Sequence, residues 1–392
     1  MTISDPKKIK ELLTRGVSET IGQEKLEKKL ASGEPLRIKL GIDPTSPNLH
    51  LGRSIPLLKL RDFQELGHQV VFIIGDFTGV IGDTSDKDAE RPMLEEQQIQ
   101  QNMKNYAEQA GKILDMDKCE VYYNSEWLGK LGFAEIGKHA NAFSVAEFTS
   151  RDNIRRRLEA GKRVSLREML YPLMQGYDSV AIKADVELGG NDQRFNLLAG
   201  RTLQEQAGQE PQAIVMGPLV NGFDGRKMSS SYGNTVNIAE DPINMYGALM
   251  QTNDELIIEY FTLMTRVPME TVEQYKKDMD GGANPKDYKM KLAFEIVRFY
   301  HSEEDAQKAQ QHFVDTFSNK QIPDEIPELT PSANDIVTVL KEAKFVKSSS
   351  EARRAIEGGG VRINEEKIDT HEATVKSGDV IQKGKRFFVK IK

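Results

Sequence analysis

The chain has 392 residues, 38% of them hydrophobic and 29% charged, so it can bury a sizeable core and divides into two or three domains, which excludes disorder and a fibrous array. Asp and Glu number 60 against 53 Lys and Arg, a net charge of -7, which argues against coating nucleic acid through bulk charge and leaves room only for a local basic surface. The single cysteine, Cys119, cannot close an intrachain bridge, and no Cys/His cluster has the spacing of a zinc site, so no protein-bound metal is expected. The opening MTISDPKKIKELLTRG lacks the apolar core of a signal peptide, and no apolar run approaches the roughly 18 residues of a membrane span. These features predict a soluble, cytoplasmic protein.

Residues 1 to about 34 carry a charged helical pattern that ends at Ser32, Gly33 and Pro35. A β-like run, LRIKLGI, follows, then an amphipathic helix, LHLGRSIPLLKLRDFQELG, then the apolar block VVFIIGD from Val70 to Asp76, expected of a buried parallel strand. Strand, helix and strand make a βαβ unit, whose ligand site lies at the carboxyl ends of its strands, so GIDPT and IGDFTGVIGD should share one mouth. Helical patterns cover about 93–118 and 130–178, and VAIKADVELGG and QAIVMGPLV repeat the pattern of strand then glycine. The predicted organisation is a Rossmann-like α/β domain with a parallel sheet over 1–235, a helical domain over 236–318, a Pro-rich acidic linker over 319–334, and a small α+β domain over 335–392. Residues 333–392 hold 13 Lys and Arg against 9 Asp and Glu, so this tail carries +4 and the rest of the chain -11.

Two loops carry the chemistry. In the first, Gly41 to Thr45 precede His50-Leu51-Gly52-Arg53 at a helix start; glycine lets a nucleotide approach the backbone, and Thr45 and His50 can donate to phosphate oxygens. In the second, Gly225-Arg226-Lys227-Met228-Ser229-Ser230-Ser231 sets adjacent cations beside three hydroxyls, suited to a clamp on charge developing on a leaving pyrophosphate. Together, in this order and α/β setting, they resemble the HIGH and KMSKS signatures of class I aminoacyl-tRNA synthetases.

Within that class, residues 35–392 resemble the bacterial tyrosyl-tRNA synthetase family. The most specific segment is Tyr171-Pro-Leu-Met-Gln175-Gly-Tyr-Asp178, whose spacing puts Tyr171, Gln175 and Asp178 on one helix face. The resemblance implies that Tyr171 and Gln175 hold the ammonium group of the substrate tyrosine, with Asp83, and that Asp178 accepts its phenol proton. It further implies that Lys87 and Arg91 reach the pyrophosphate, that Asp192 in Gly189-Gly190-Asn191-Asp192-Gln193 binds ribose, and that Gln193 sits beside the substrate carboxylate. Gly41, Asp43, Gly52, Gly190, Asp192, Lys227, Ser229 and Ser230 are the implied ATP contacts. Thr45, His50, Arg53, Lys87, Arg91 and Lys227 are the implied phosphate-side catalytic groups.

The chain departs from the family pattern at three places. Arg53 replaces the last histidine of HIGH, Ser230 replaces the lysine of KMSKS, and Lys39-Leu40 stand where many members have a tyrosine that touches the phenol. The fixed charge of Arg53 is expected to offset the cation missing at Ser230 in part. The tail resembles the S-four type RNA-binding domain, with Arg353 and Arg354 on a helix and Arg362, Lys383, Lys385 and Arg386 around short strands, able to follow an RNA backbone. A second basic cluster, Arg155 to Arg157, suits a solvated helix face or a subunit contact as well as tRNA. The implied activity is ligation of L-tyrosine to tRNA(Tyr) through tyrosyl-adenylate, with magnesium-bound ATP as substrate, by a homodimer away from membranes. The alternatives are tryptophanyl-tRNA synthetase and a non-catalytic RNA-binding paralogue.

Overall fold

The computed structural model describes residues 2–84, 93–228, 232–318, 326–346, 348–384 and 387–392. The chain forms two compact units, Met1–Glu303 and Glu304–Lys392.

The first unit is built on a six-stranded sheet: β1 (Glu19–Ile21), β2 (Arg37–Ile42), β3 (Gln69–Ile74), β4 (Cys119–Tyr123), β5 (Val186–Gly190) and β6 (Ala213–Gly217), in spatial order β1-β6-β5-β2-β3-β4. All neighbours run parallel except β1, which pairs antiparallel with β6. β3 is buried along nearly its whole length, which is why its sequence is a continuous apolar run and not an alternating one. The chain passes from β2 to β3 on one side and later returns to β5 on the other, so a crevice opens above β2, where ligands bind in open α/β sheets.

The sequence reading differs from the structure at the two sheet edges. β1 interrupts the stretch read as helical near the N-terminus, and β4 is an additional strand after the helical region about 93–118. Both are short edge strands with few buried side chains, so neither carries an apolar run. Most of the helical stretch after Asp241 packs into the first unit: the helix Ile257–Met264 lies against the helix Leu51–Glu65. Arg15 anchors this arrangement by donating to the carbonyls of Phe261 (3.2 Å), Thr262 (3.0 Å) and Thr265 (2.7 Å) at that helix's end.

The second unit has a five-stranded sheet, β7 (Glu328–Leu329), β8 (Val361–Ile363), β9 (Glu366–Lys367), β10 (Val380–Lys383) and β11 (Phe387–Ile391), ordered β7-β11-β10-β8-β9. β7 falls inside the segment read as a linker and pairs with β11. The helix Ser349–Glu357 starts where Ser348 accepts from the Glu351 N–H; Ala352 and Ile356, one turn apart, face the core and leave Arg353 and Arg354 exposed.

Candidate active site

A cavity of about 560 Å³ lies at the carboxyl edge of the parallel strands. Every described candidate for nucleotide and amino-acid binding lines it: Gly41, Asp43 and Thr45 after β2; His50, Gly52 and Arg53 at the next helix start; Asp83; Tyr171, Gln175 and Asp178; Gly190, Asp192 and Gln193 after β5; and Lys227. Lys87, Arg91, Ser229, Ser230, Lys385 and Arg386 lie outside the described residues.

The helix Leu166–Ile182 begins at a capping box in which Ser165 and Glu168 satisfy each other's backbone N–H groups. Two turns on, the Tyr171 hydroxyl donates to Asp43 Oδ2 at 2.8 Å. Asp43 Oδ1 accepts from Thr78 at 2.7 Å, and Thr78 in turn accepts from Asn124 Nδ2 at 2.9 Å. Asn124 reaches Asp178 at 3.3 Å, and the Trp127 indole N–H donates to Asp178 at 2.8 Å. Burial pushes the Asp178 carboxyl up to about 7, against the opposing pull of the Lys39 charge and of these two donors. On the cavity's other wall, Gln193 donates to Asp83 at 2.7 Å, and Lys227 Nζ stands 3.9 Å from Asp192.

The segment that follows the second signature loop is tied by backbone to the first. Leu51 N–H donates to Val236 O and Ile238 N–H to Leu49 O, each at 2.9 Å, which ties the segment after the Lys227 loop to the start of the Leu51–Glu65 helix. Gly52 makes their contact possible: a Cβ there would stand 2.8 Å from Met228 Sδ and 3.1 Å from the His50 ring. Burial, reinforced by the neighbouring Arg53 charge, holds the His50 imidazole down to about 4, so it is neutral at physiological pH. Its Nδ1 is buried without a hydrogen-bond partner. Arg53 donates to Thr45 Oγ1 (2.7 Å), the Tyr106 hydroxyl (2.9 Å) and Ser46 Oγ (3.3 Å). These partners are neutral hydroxyls, so none of them offsets the guanidinium beside Thr45.

Residues 30–318 match the family model described as tRNA synthetases class I (W and Y), and residues 336–381 match that of the S4 domain. The chain is 47% identical to the tyrosine–tRNA ligase of Thermotoga maritima over 98% of each chain. It is 46% identical to that of Shewanella oneidensis over 97% of each. The chain belongs to the tyrosine–tRNA ligase family. That family is one of class I aminoacyl-tRNA synthetases, enzymes that use ATP, and neither a tryptophan-specific enzyme nor a non-catalytic paralogue is favoured. The fold agrees with solved tyrosyl-tRNA synthetases: that of Archaeoglobus fulgidus complexed with L-tyrosine (TM-score 0.62, 22% identity, 78% of this chain and 99% of that one) and a truncated mitochondrial one of Aspergillus nidulans (0.68, 20%, 79% and 94%).

Sequence reasoning missed Thr78 and Asn124, which line the cavity, and Trp127, which bonds Asp178 from behind the lining. Asn124 and Trp127 follow β4 at the same mouth, and reading CEVYY as a strand would have pointed to them. Lys39 does not take the place of the absent tyrosine: it is fully buried and turned to Glu187. In the basic cluster, Arg157 is buried against Glu168 at 2.5 Å and Arg155 pairs with Asp152 at 2.6 Å, so at least one arginine serves the fold. Of the described RNA-binding candidates in the S4 domain, Lys383 donates to Phe345 O and Arg362 to Glu365 O, and Arg353 and Arg354 are exposed. Among the described residues no group of three or more His, Cys, Asp or Glu is placed to hold a metal, and no helix is long and apolar enough to cross a membrane.

Proposed function

We propose that this chain activates L-tyrosine with magnesium-bound ATP and transfers the tyrosyl group to the 3′ end of tRNA(Tyr). A tyrosine carboxylate oxygen attacks the α-phosphorus, the bond to the bridging oxygen of the β-phosphate breaks, and pyrophosphate leaves. A ribose hydroxyl of the tRNA terminal adenosine then attacks the activated carbonyl and releases AMP. No covalent enzyme intermediate is required, because positioning and phosphate-directed charge carry the catalysis.

Asp178 accepts the substrate's phenol proton; Tyr171, Gln175 and Asp83 surround its ammonium group; Gln193 lies beside its carboxylate. Neutral His50 offers a hydrogen bond, not a charge, to phosphate, with Thr45 next to it. Arg53 and Lys227 supply charge on that side, with Lys87 and Arg91 as further cations and Ser229 and Ser230 as donors. Gly41, Asp43, Gly52, Gly190 and Asp192 form the nucleotide's bed. The observation that carries this reading is a buried carboxyl group, Asp178, in the lining of a cavity to which His50, Gly52 and Arg53 of the first signature loop and Lys227 of the second also contribute.

Residues 1–235 and 236–318 perform activation, and 335–392, beyond the 319–334 linker, hold tRNA through Arg353, Arg354, Arg362, Lys383, Lys385 and Arg386. Support for a homodimer comes from large apolar side chains on the surface of the single chain: Phe133 is 96% exposed, Leu166 83% and Val145 80%. The enzyme works in the cytoplasm and off the membrane. Exchange of labelled pyrophosphate into ATP, measured with each aromatic amino acid, tests the function; exchange driven by tryptophan, or by none of them, overturns it.

A further inference from the structure

Lys39 and Glu187 are register partners on the neighbouring parallel strands β2 and β5, with side chains 0% and 1% exposed and Nζ 2.9 Å from Oε1. Lys39 Nζ also donates to the carbonyl oxygen of Gln175 (2.9 Å) and to Ser179 Oγ (2.7 Å). Glu187 Oε2 accepts from Ser179 Oγ (3.0 Å) and from Gln212 Nε2. Its Oε1 accepts from the side-chain Nε2 of Gln175 at 3.2 Å. The pocket for this pair is made by a close helix approach: a Cβ on Gly200 would stand 2.7 Å from Gln212 Nε2 and 3.0 Å from Ser179 Oγ. Gln175 is thus gripped twice, at its backbone and at its amide, while its side chain lines the substrate cavity.

An amide has one face that donates and one that accepts, and little in its shape distinguishes them. A carboxylate only accepts, so a glutamine bound to one must give it the NH2 group and turn its oxygen the other way. Uncharged partners impose no such sense. We propose that Lys39 and Glu187 are positioning residues of the tyrosine site: the buried pair orients the Gln175 amide so that its oxygen faces the substrate's ammonium group. Glu187 sets the sense of the amide. Lys39 balances a carboxylate that would otherwise be buried alone and fixes the backbone turn from which Gln175 projects. The lysine at the position of the missing phenol-binding tyrosine thereby acts on the amino group of the substrate through Gln175, while the opposite pulls of Lys39 and Glu187 on the Asp178 carboxyl offset each other in part and are removed together in the double variants.

The proposal rests on the ammonium role given to Gln175 above, and two ligands separate the questions. Tyramine has the phenol and the ammonium group without the carboxylate; 3-(4-hydroxyphenyl)propionate has the phenol and the carboxylate without the ammonium group. Their affinities are measured by competition with tyrosine in pyrophosphate exchange, for the full chain and for Lys39→Met/Glu187→Gln, which removes both charges. Tyramine binding should weaken about ten- to a hundredfold, as for loss of a hydrogen bond to a charged group, and KM for tyrosine should rise in parallel. Affinity for 3-(4-hydroxyphenyl)propionate should stay within about twofold. A second variant, Lys39→Leu/Glu187→Leu, substitutes an apolar pair and should show the same selectivity. If either folded variant keeps tyramine affinity, or loses both ligands equally, the pair does not orient the amide. Gln175→Ala in the otherwise unchanged chain tests the premise: if it weakens tyramine no more than the propionate, the ammonium reading fails and the proposal with it.

Discussion

Asp178 is the residue at which burial and chemistry conflict most directly. Its carboxyl sits at about 7 because burial penalises the charge, whereas free aspartate ionises near 3.9. Between about pH 4 and 7 the native protein therefore holds a proton that the unfolded chain has lost. The associated stability is full below about pH 4 and is lost as pH rises through about 7, by at most about 4 kcal/mol for a shift of three units. Asp178→Asn should flatten this dependence, read as unfolding midpoints at pH 5 and pH 8. The same proton governs the substrate. A phenol donates more strongly to the ionised carboxylate than to the neutral acid, so tyrosine affinity should rise by up to about tenfold per pH unit below 7 and level off above it, while phenylalanine affinity stays flat. Calorimetric titrations at pH 6 and 8 check the difference. A site built around a hydroxyl rejects the analogue lacking it by roughly four to five orders of magnitude, tyrosyl-tRNA synthetases being the known case. The Asn variant should forfeit most of that preference in pyrophosphate exchange. Lys227 acts at the other end of the cavity. Its charge should count more in the transition state than in the ground state, so Lys227→Ala should slow adenylate formation by about one to three orders of magnitude and leave tyrosine binding unchanged. Single-turnover rates decide it, and parity with the parent chain would remove Lys227 from the phosphate side.

At the scale of elements, β2, the helix Leu51–Glu65 and β3 were legible because each carries its own local signal: an apolar run, an amphipathic period, or glycine at the carboxyl end. The two signature loops were read as a pair, from their order and their resemblance to a known family, since neither carries such a signal alone. What could not be read was pairing between segments far apart in the chain. No local pattern says that Lys39 faces Glu187 across β2 and β5, or that Trp127 and Asn124 meet Asp178. Lys39 stood out only as a departure, and its role emerged from strand register. The pairing has an energetic signature. Lys39→Met alone leaves Glu187 buried without its cation and should cost about 3–5 kcal/mol, whereas Lys39→Met/Glu187→Gln should return close to parental stability. Denaturant unfolding of both variants measures this. Equal losses in the two would mean that the site depends on packing and not on charge balance.

At the scale of the whole molecule, charge is divided unevenly along the chain. The last sixty residues carry +4 and the remainder -11, so a body that repels a polyanion is joined to a tail that attracts one. Of the tail's proposed RNA-binding cations, Lys383 donates to Phe345 O and Arg362 to Glu365 O, while Arg353 and Arg354 are exposed on one helix. Ala352 and Ile356 keep that helix in the core, so both arginines can be changed without touching its packing. Each cation that neutralises a phosphate releases a counterion, and the slope of log affinity against log salt shrinks by about 0.7–0.9 for each phosphate no longer neutralised. Arg353→Ala/Arg354→Ala should therefore weaken tRNA binding most at low salt and reduce the magnitude of the slope by about 1.4–1.8. Tyrosine-dependent pyrophosphate exchange should be unchanged, because every described residue proposed to touch tyrosine or ATP lies within Met1–Glu303. Charging of tRNA should fall at subsaturating tRNA and recover as its concentration is raised. The deciding measurement is tRNA affinity for parent and variant at two salt concentrations. An unchanged slope would show that these arginines meet no phosphate, and a loss of exchange activity would show that the tail takes part in activation.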